Sequence, residues 1–151
     1  MFDDDRPEGN SEAANSIENF EAEVRQSQRY TATQYNHKLD DLIAAGIEPA
    51  HSPDWRTDGN TAITDQVVRI AKSFLESLPE HYQSPDIGPE PDGCIMLEWY
   101  SNERRLLNVS ISETGLIHWA ALIGNDDPRG SAYFTNQTPD LIEFLLGRII
   151  R

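Results

Sequence analysis

The sequence predicts an α+β fold: an antiparallel meander of three to four strands packed by helices, with a long N-terminal helix or helical hairpin in front. Three apolar runs at residues 94–100, 106–111 and 116–123 predict the meander, because Ser-Asn-Glu-Arg-Arg and Ser-Glu-Thr-Gly break them at turn-like positions. Apolar residues at helical spacing before and after those runs predict the helices. With 151 residues, the chain is long enough for one domain with a real core and too short for two ordinary ones. The expected organisation is a disordered acidic tail over residues 1–10, a helical segment over 11–46 and an α+β domain over 61–151.

The tail is expected because Asp-Asp-Asp stands there with Pro and Gly, too little apolar surface to fold. From Ser11 onward the pattern turns helical. Ile17, Phe20 and Val24 fall at i, i+3, i+7, and Tyr35, Leu39, Leu42 and Ile43 repeat the geometry before Gly46, a natural stop. Between the two stripes Tyr30 is the only large ring. No Pro or Gly interrupts residues 11–45. The segment is therefore one helix of about 50 Å or two helices bent near residues 29–33. So thin a stripe needs a second surface to lie on: its own sheet, a second copy, or another protein.

Residues 47–63 hold two prolines and a glycine and read as a loop. Thr61 or Thr64 can cap the next helix, whose stripe is Val67, Ile70, Ala71, Phe74, Leu75 and Leu78. Pro79 ends it, since a proline pushes the preceding residue out of the helical region. Residues 79–93, with Pro79, Pro85, Pro89 and Pro91, read as an extended connector. In the meander, Leu107, Val109 and Ile111 alternate with Asn108, Ser110 and Ser112, giving one buried and one wet face. The first and third strands are apolar on both faces, which predicts cover on both sides or a central place in the sheet. Residues 125–130 form a turn cluster, and 131–135 can add a fourth strand. Thr138, Pro139 and Asp140 read as the start of a last helix, with Ile142, Leu145, Leu146 and Ile149 facing inward.

Charge narrows the function. The net charge is −14, from 26 acidic and 12 basic residues. Residues 1–23 alone hold eight acids and one Arg, a net of −7. Binding a nucleic-acid backbone needs a basic face, so direct nucleic-acid binding is not expected. Such acidity serves solubility or engages a basic partner. A single cysteine, Cys94, leaves no intrachain disulfide. The opening residues lack the basic and apolar regions of a signal peptide, and no run approaches the roughly 20 apolar residues of a membrane span. The expectation is a soluble cytoplasmic protein with no membrane association.

Chemistry-bearing groups are scattered. His37, His51, His81 and His118 fall on different elements, with no pair at i, i+4 and no Cys/His cluster. His118 beside Trp119 reads as a packed, hydrogen-bonded strand residue. Cys94 lacks a basic flank and reads as a small buried hydrophobe. Glu98, the one acid inside an apolar strand, must face solvent or pair, and Arg104 or Arg105 across the hairpin is its expected partner. The sequence accordingly assigns no catalytic residue, no metal and no cofactor. The rings Trp99, Tyr100, Trp119, Tyr133 and Phe134 are the better lead, because aromatics with arginine anchor protein interfaces.

From Pro91 to about Gly124 the chain resembles a loose group of small uncharacterised bacterial proteins. The shared pattern is a Pro/Gly-rich lead, an Asp-Gly, and an apolar strand ending in Glu-Trp followed by a β-meander; here it comprises Pro91, Asp92, Gly93, Ile95, Leu97, Glu98 and Trp99. The resemblance implies no activity, but some members stand near toxin–antitoxin or defence genes, which implies an interaction role. The first expectation is therefore a small acidic protein-interaction module of antitoxin, immunity or accessory type. Its candidate partner-binding residues are Ile17, Phe20, Val24, Tyr100, Arg104, Arg105 and Tyr133, and its expected partner is a protein, of basic charge or not, or a second copy paired through the N-terminal helix. A nucleic-acid-mimicking inhibitor of a basic DNA-binding protein or nuclease is the alternative. An enzyme is a third, requiring Glu98, His118 and Asp126 or Asp127 to converge.

Overall fold

The turn residues and the period-two apolar pattern of residues 86–133 close an antiparallel sheet, and a computed structural model describes it within residues 12–80 and 82–150. The tail expected over residues 1–10, the Ser11 helix start and His81 lie outside the described residues, as do the side chains of Tyr30 and Tyr35. The helices are α1 (Glu12–Gly46), a 3-10 turn (Glu48–His51), α2 (Pro53–Thr57), α3 (Asp65–Ser77) and α4 (Asp140–Ile149). The strands are β1 (Asp86–Pro89), β2 (Ile95–Asn102), β3 (Arg105–Ile111), β4 (Leu116–Ile123) and β5 (Arg129–Tyr133). The fold is α+β, and the sheet runs in the order β1-β2-β3-β4-β5 with every neighbouring pair antiparallel.

The sheet has five strands, not three to four. Asp86–Pro89, expected as part of a connector, forms β1 against β2. Proline is tolerated there because β1 lies at the edge, where one side of the backbone needs no partner. The loop expected over 47–63 also contains α2, which Ser52 caps through Asp54 N–H, with Pro53 at the first position.

The chain divides into two compact units, Met1–His37 and Lys38–Arg151. In the first, α1 exposes Ile17, Phe20 and Val24, and Glu21 and Arg25 make an i, i+4 ion pair of 3.6 Å.

In the second unit, the last turns of α1 bury Leu39 and Ile43, followed by buried Ile47. Asp40 meets Lys72 of α3 at 2.8 Å, and this carboxylate holds the ammonium above its ordinary range. Thr64 caps α3 by accepting from Val67 N–H at 3.3 Å. α3 lies against β2 and β3, and α4 against β2, β3 and β4. Their apolar stripes meet one sheet face, where Ile95, Leu97, Trp99, Leu107, Val109, Ile111, Ile117 and Ala121 are buried with Phe74, Leu145 and Leu146. Each large side chain so buried contributes about 1.5–3 kcal/mol before entropy is charged. The Phe74 and Phe134 rings pack edge to face at 5.6 Å.

Two polar groups complete this core. The Trp99 indole N–H donates to the Gln83 carbonyl at 2.8 Å, so the ring is buried without an orphaned donor. Thr138 is buried as well, but its hydroxyl bonds Ser77 instead of capping the last helix. Helix α4 starts at Asp140 with no side-chain cap, and Pro139 accepts from Ile142 N–H at 3.0 Å.

Candidate functional site: the outer face of the sheet

Because side chains alternate across a strand, the residues between the buried ones form a second face. Register places them in rows. One row runs Asp86, Glu98, Asn108, Ala120, Arg129 from β1 to β5, and the next runs Gly88, Met96, Ser110, His118, Ser131. Tyr100, Leu106 and Leu122 form a row toward one end, and Leu116 with Tyr133 a row toward the other.

Of the two expectations for β2 and β4, cover on both sides or a place near the sheet centre, the second holds: both are interior strands flanking β3. Their outer positions are half-buried or exposed. The central strand is β3, the one with the polar outer face. Mixed rows of methionine, leucine and tyrosine among serine and asparagine give a face that is neither a core nor a hydrated surface. Acid stands at its β1 side and Arg129 at its β5 side.

A depression of about 400 Å³ lies on this face toward β5, lined by residues of β2, β3, β4 and β5 that include Met96, Asn108, Ser110, His118, Arg129 and Ser131. The Asn108 Oδ1 is buried here with no hydrogen-bond donor. Such an atom costs about 1–3 kcal/mol relative to a satisfied one. At the β1–β2 side, Cys94 is half-buried, and its thiol is pushed up to about 11, first by burial and then by the hydrogen bond and charge of Asp92, with Ser110 pulling the other way. A protonated thiol is a poor nucleophile at neutral pH. The face thus offers hydrogen-bonding groups and apolar contact between an acidic side and Arg129.

The candidate residues sort unevenly. Tyr100 is 56% exposed and Tyr133 67% exposed, at opposite ends of the same face. Arg104 sits in the β2–β3 turn, where its Nη1 donates to Asn125 Oδ1 at 2.6 Å. Arg105 opens β3 opposite Asn102 and Ile123. The expected pairing of Glu98 with Arg104 or Arg105 is overturned: the cross-strand neighbours of Glu98 are Asp86 and Asn108. The hairpin register sets this, since the arginines belong to the turn end and Glu98 lies four residues back from Asn102. His118 is exposed and not packed, because its position falls on the outer parity of β4. It lines the depression, whereas Glu98, Asp126 and Asp127 do not. Among the described residues no group of three or more His, Cys, Asp or Glu is placed to hold a metal ion.

Sequence reasoning missed a second exposed set. Leu141 and Phe144 of α4 stand out at 49% and 60% exposure, and the Arg148 guanidinium lies 5.9 Å from the Phe144 ring centre. The signal was present, as both lie off the inward stripe of that helix. Ile17 and Phe20 are 60% and 67% exposed and Val24 37% on α1. No helix among the described residues is long and apolar enough to cross a membrane. No family model, curated protein or solved structure matches the chain.

Proposed function

We propose that the chain is a small acidic interaction module of the antitoxin, immunity or accessory type, acting in the cytoplasm by binding a protein partner. The observation that carries this reading is the outer sheet face, whose two tyrosines are 56% and 67% exposed among half-buried leucines and a methionine. Exposed rings on a rigid sheet lose little conformational entropy on docking, which suits them as anchors. The stripe Ile17, Phe20 and Val24 on α1 supplies a second anchor of the helix-in-groove kind. The net charge of −14 favours a basic partner and speeds its capture.

The test is affinity capture from the native host with the full chain, followed by titration of the recovered partner. Tyr100→Ala and Phe20→Glu are each expected to weaken binding by about tenfold or more, within the range of interface anchors. Binding unchanged by both substitutions would refute the reading. Salt separates it from nucleic-acid mimicry. A partner held by carboxylates alone is lost as ionic strength rises and the screening length falls to about 8 Å, whereas apolar anchoring survives.

A further inference from the structure

The two edges of the sheet are managed differently. At the β1 edge, the end of α1 lies close: a Cβ on Gly46 would stand 2.6 Å from both the Cβ and the carbonyl oxygen of Ile87. Pro89 in the same strand has no N–H to offer. Cover and proline are two ordinary protections of a sheet edge.

Among the described residues of the second unit, the β5 edge has neither. Ala121 N–H donates to the Pro128 carbonyl at 2.8 Å and Phe134 N–H to the Gly115 carbonyl at 2.9 Å. The antiparallel alternation then directs the backbone of Gly130 and Ala132 to β4, and that of Arg129, Ser131 and Tyr133 outward. Among the described residues nothing bonds those outward N–H and C=O groups. The three side chains are exposed and share the outer face.

We propose that this edge pairs with β5 of a second copy of the chain, antiparallel about a two-fold axis at Ser131. Three outward residues centred on Ser131 are self-complementary under that symmetry. Ser131 meets Ser131 of the second copy, and Arg129 meets Tyr133 twice, giving on the order of six backbone hydrogen bonds. The guanidinium, which donates to Asp127 Oδ2 at 3.2 Å within its own chain, and the ring stand in cross-strand positions that allow a cation–π contact. No like charges face each other in this register, and the twofold match of Arg129 with Tyr133 is what favours a second copy over an arbitrary strand. The pairing joins the two sheets into one and brings Tyr133 of the second copy beside Arg129, which lines the depression. The edge is short, so the dimer belongs to the weak, concentration-dependent class. This inference stands apart from the partner-binding proposal, because its readout is the isolated protein.

Sedimentation velocity of the full chain from ~1 μM to ~1 mM tests it. The wild type is expected to pass from monomer to dimer in that range. Ser131→Asp and Ser131→Lys each place like charges on the axis, and each is expected to weaken self-association about tenfold or more. Mixed in equal amounts, the two are expected to form a heterodimer tighter than either homodimer. Circular dichroism checks that both keep the fold, and Tyr133→Ala, expected to weaken the dimer several-fold, serves if either does not. A wild-type monomer at ~1 mM would overturn the proposal. So would wild-type self-association in both Ser131 variants, or a dimer abolished by Phe20→Glu.

Discussion

Gly130 lies directly opposite Trp119 across the β4–β5 pair, and the indole occupies the space that a side chain at 130 would need. A Cβ there would stand 2.6 Å from Cζ2 and 2.9 Å from Cε2 of the ring. An aromatic ring cannot bend away as a flexible chain end does. Gly130→Ala is therefore expected to cost about 1–3 kcal/mol and to change the tryptophan emission. Urea unfolding measures the first and fluorescence the second. A variant as stable as the wild type would mean that the ring is free to move.

Gly46 sets two known effects against each other. Alanine is the better helix former by about 1 kcal/mol, so a free helix end would gain from Gly46→Ala. The new methyl would instead stand 2.6 Å from the Ile87 carbonyl oxygen, a backbone atom fixed in β1. Overpacking of about 1–3 kcal/mol wins, and a net loss in thermal stability is expected. A raised melting temperature would contradict this account of the β1 edge.

Cys94 provides a pH-dependent observable. Its thiol is expected to titrate at about 11, followed by thiolate absorbance, and Asp92→Asn is expected to lower that midpoint by removing the second-largest cause. Near pH 8, alkylation is expected to run roughly a hundredfold slower than for a free thiol, in proportion to the thiolate fraction. The sign for stability follows from linkage. The folded value is raised, so the contribution is whole below the ordinary value of 9.0 and is lost as pH rises through about 11. Cys94→Ala should flatten that part of the stability–pH curve.

Asn108 stands on the central strand with a buried carbonyl oxygen that no donor reaches. Asn108→Val removes the orphaned group and supplies a β-branched side chain suited to a half-buried strand. A gain of about 1 kcal/mol in unfolding free energy is expected. A loss of similar size would show that the amide is satisfied in solution.

How much of this was legible in the sequence depended on periodicity. β3 could be read because apolar residues recur at every second position, β2 and β4 because apolar runs of strand length stand between turn residues, and α3 because Thr64 and six apolar positions agree. β1 escaped because Asp86-Ile87-Gly88 is too short to show alternation and lies among prolines, which suit an edge strand as well as a connector. Arg129 and Gly130 read as turn residues, although the ladder begins with them. The outer face was half legible. Parity puts Tyr100 and Tyr133 on one side, but the Glu98 register depends on where the β2–β3 hairpin turns, and no local pattern fixes that. Thr138 looked like a helix cap because its partner, Ser77, is distant in sequence and close only once folded.

The strand order of the sheet repeats the order of the chain. Each hairpin can zip onto the one before it, with a short loop to close at every step and no threading. Rapid assembly outward from β3 should result, since local pairings carry a small entropic toll. The same layout makes β5 a terminal rung: it can fray, exchange or be extended while the four strands behind it stay paired.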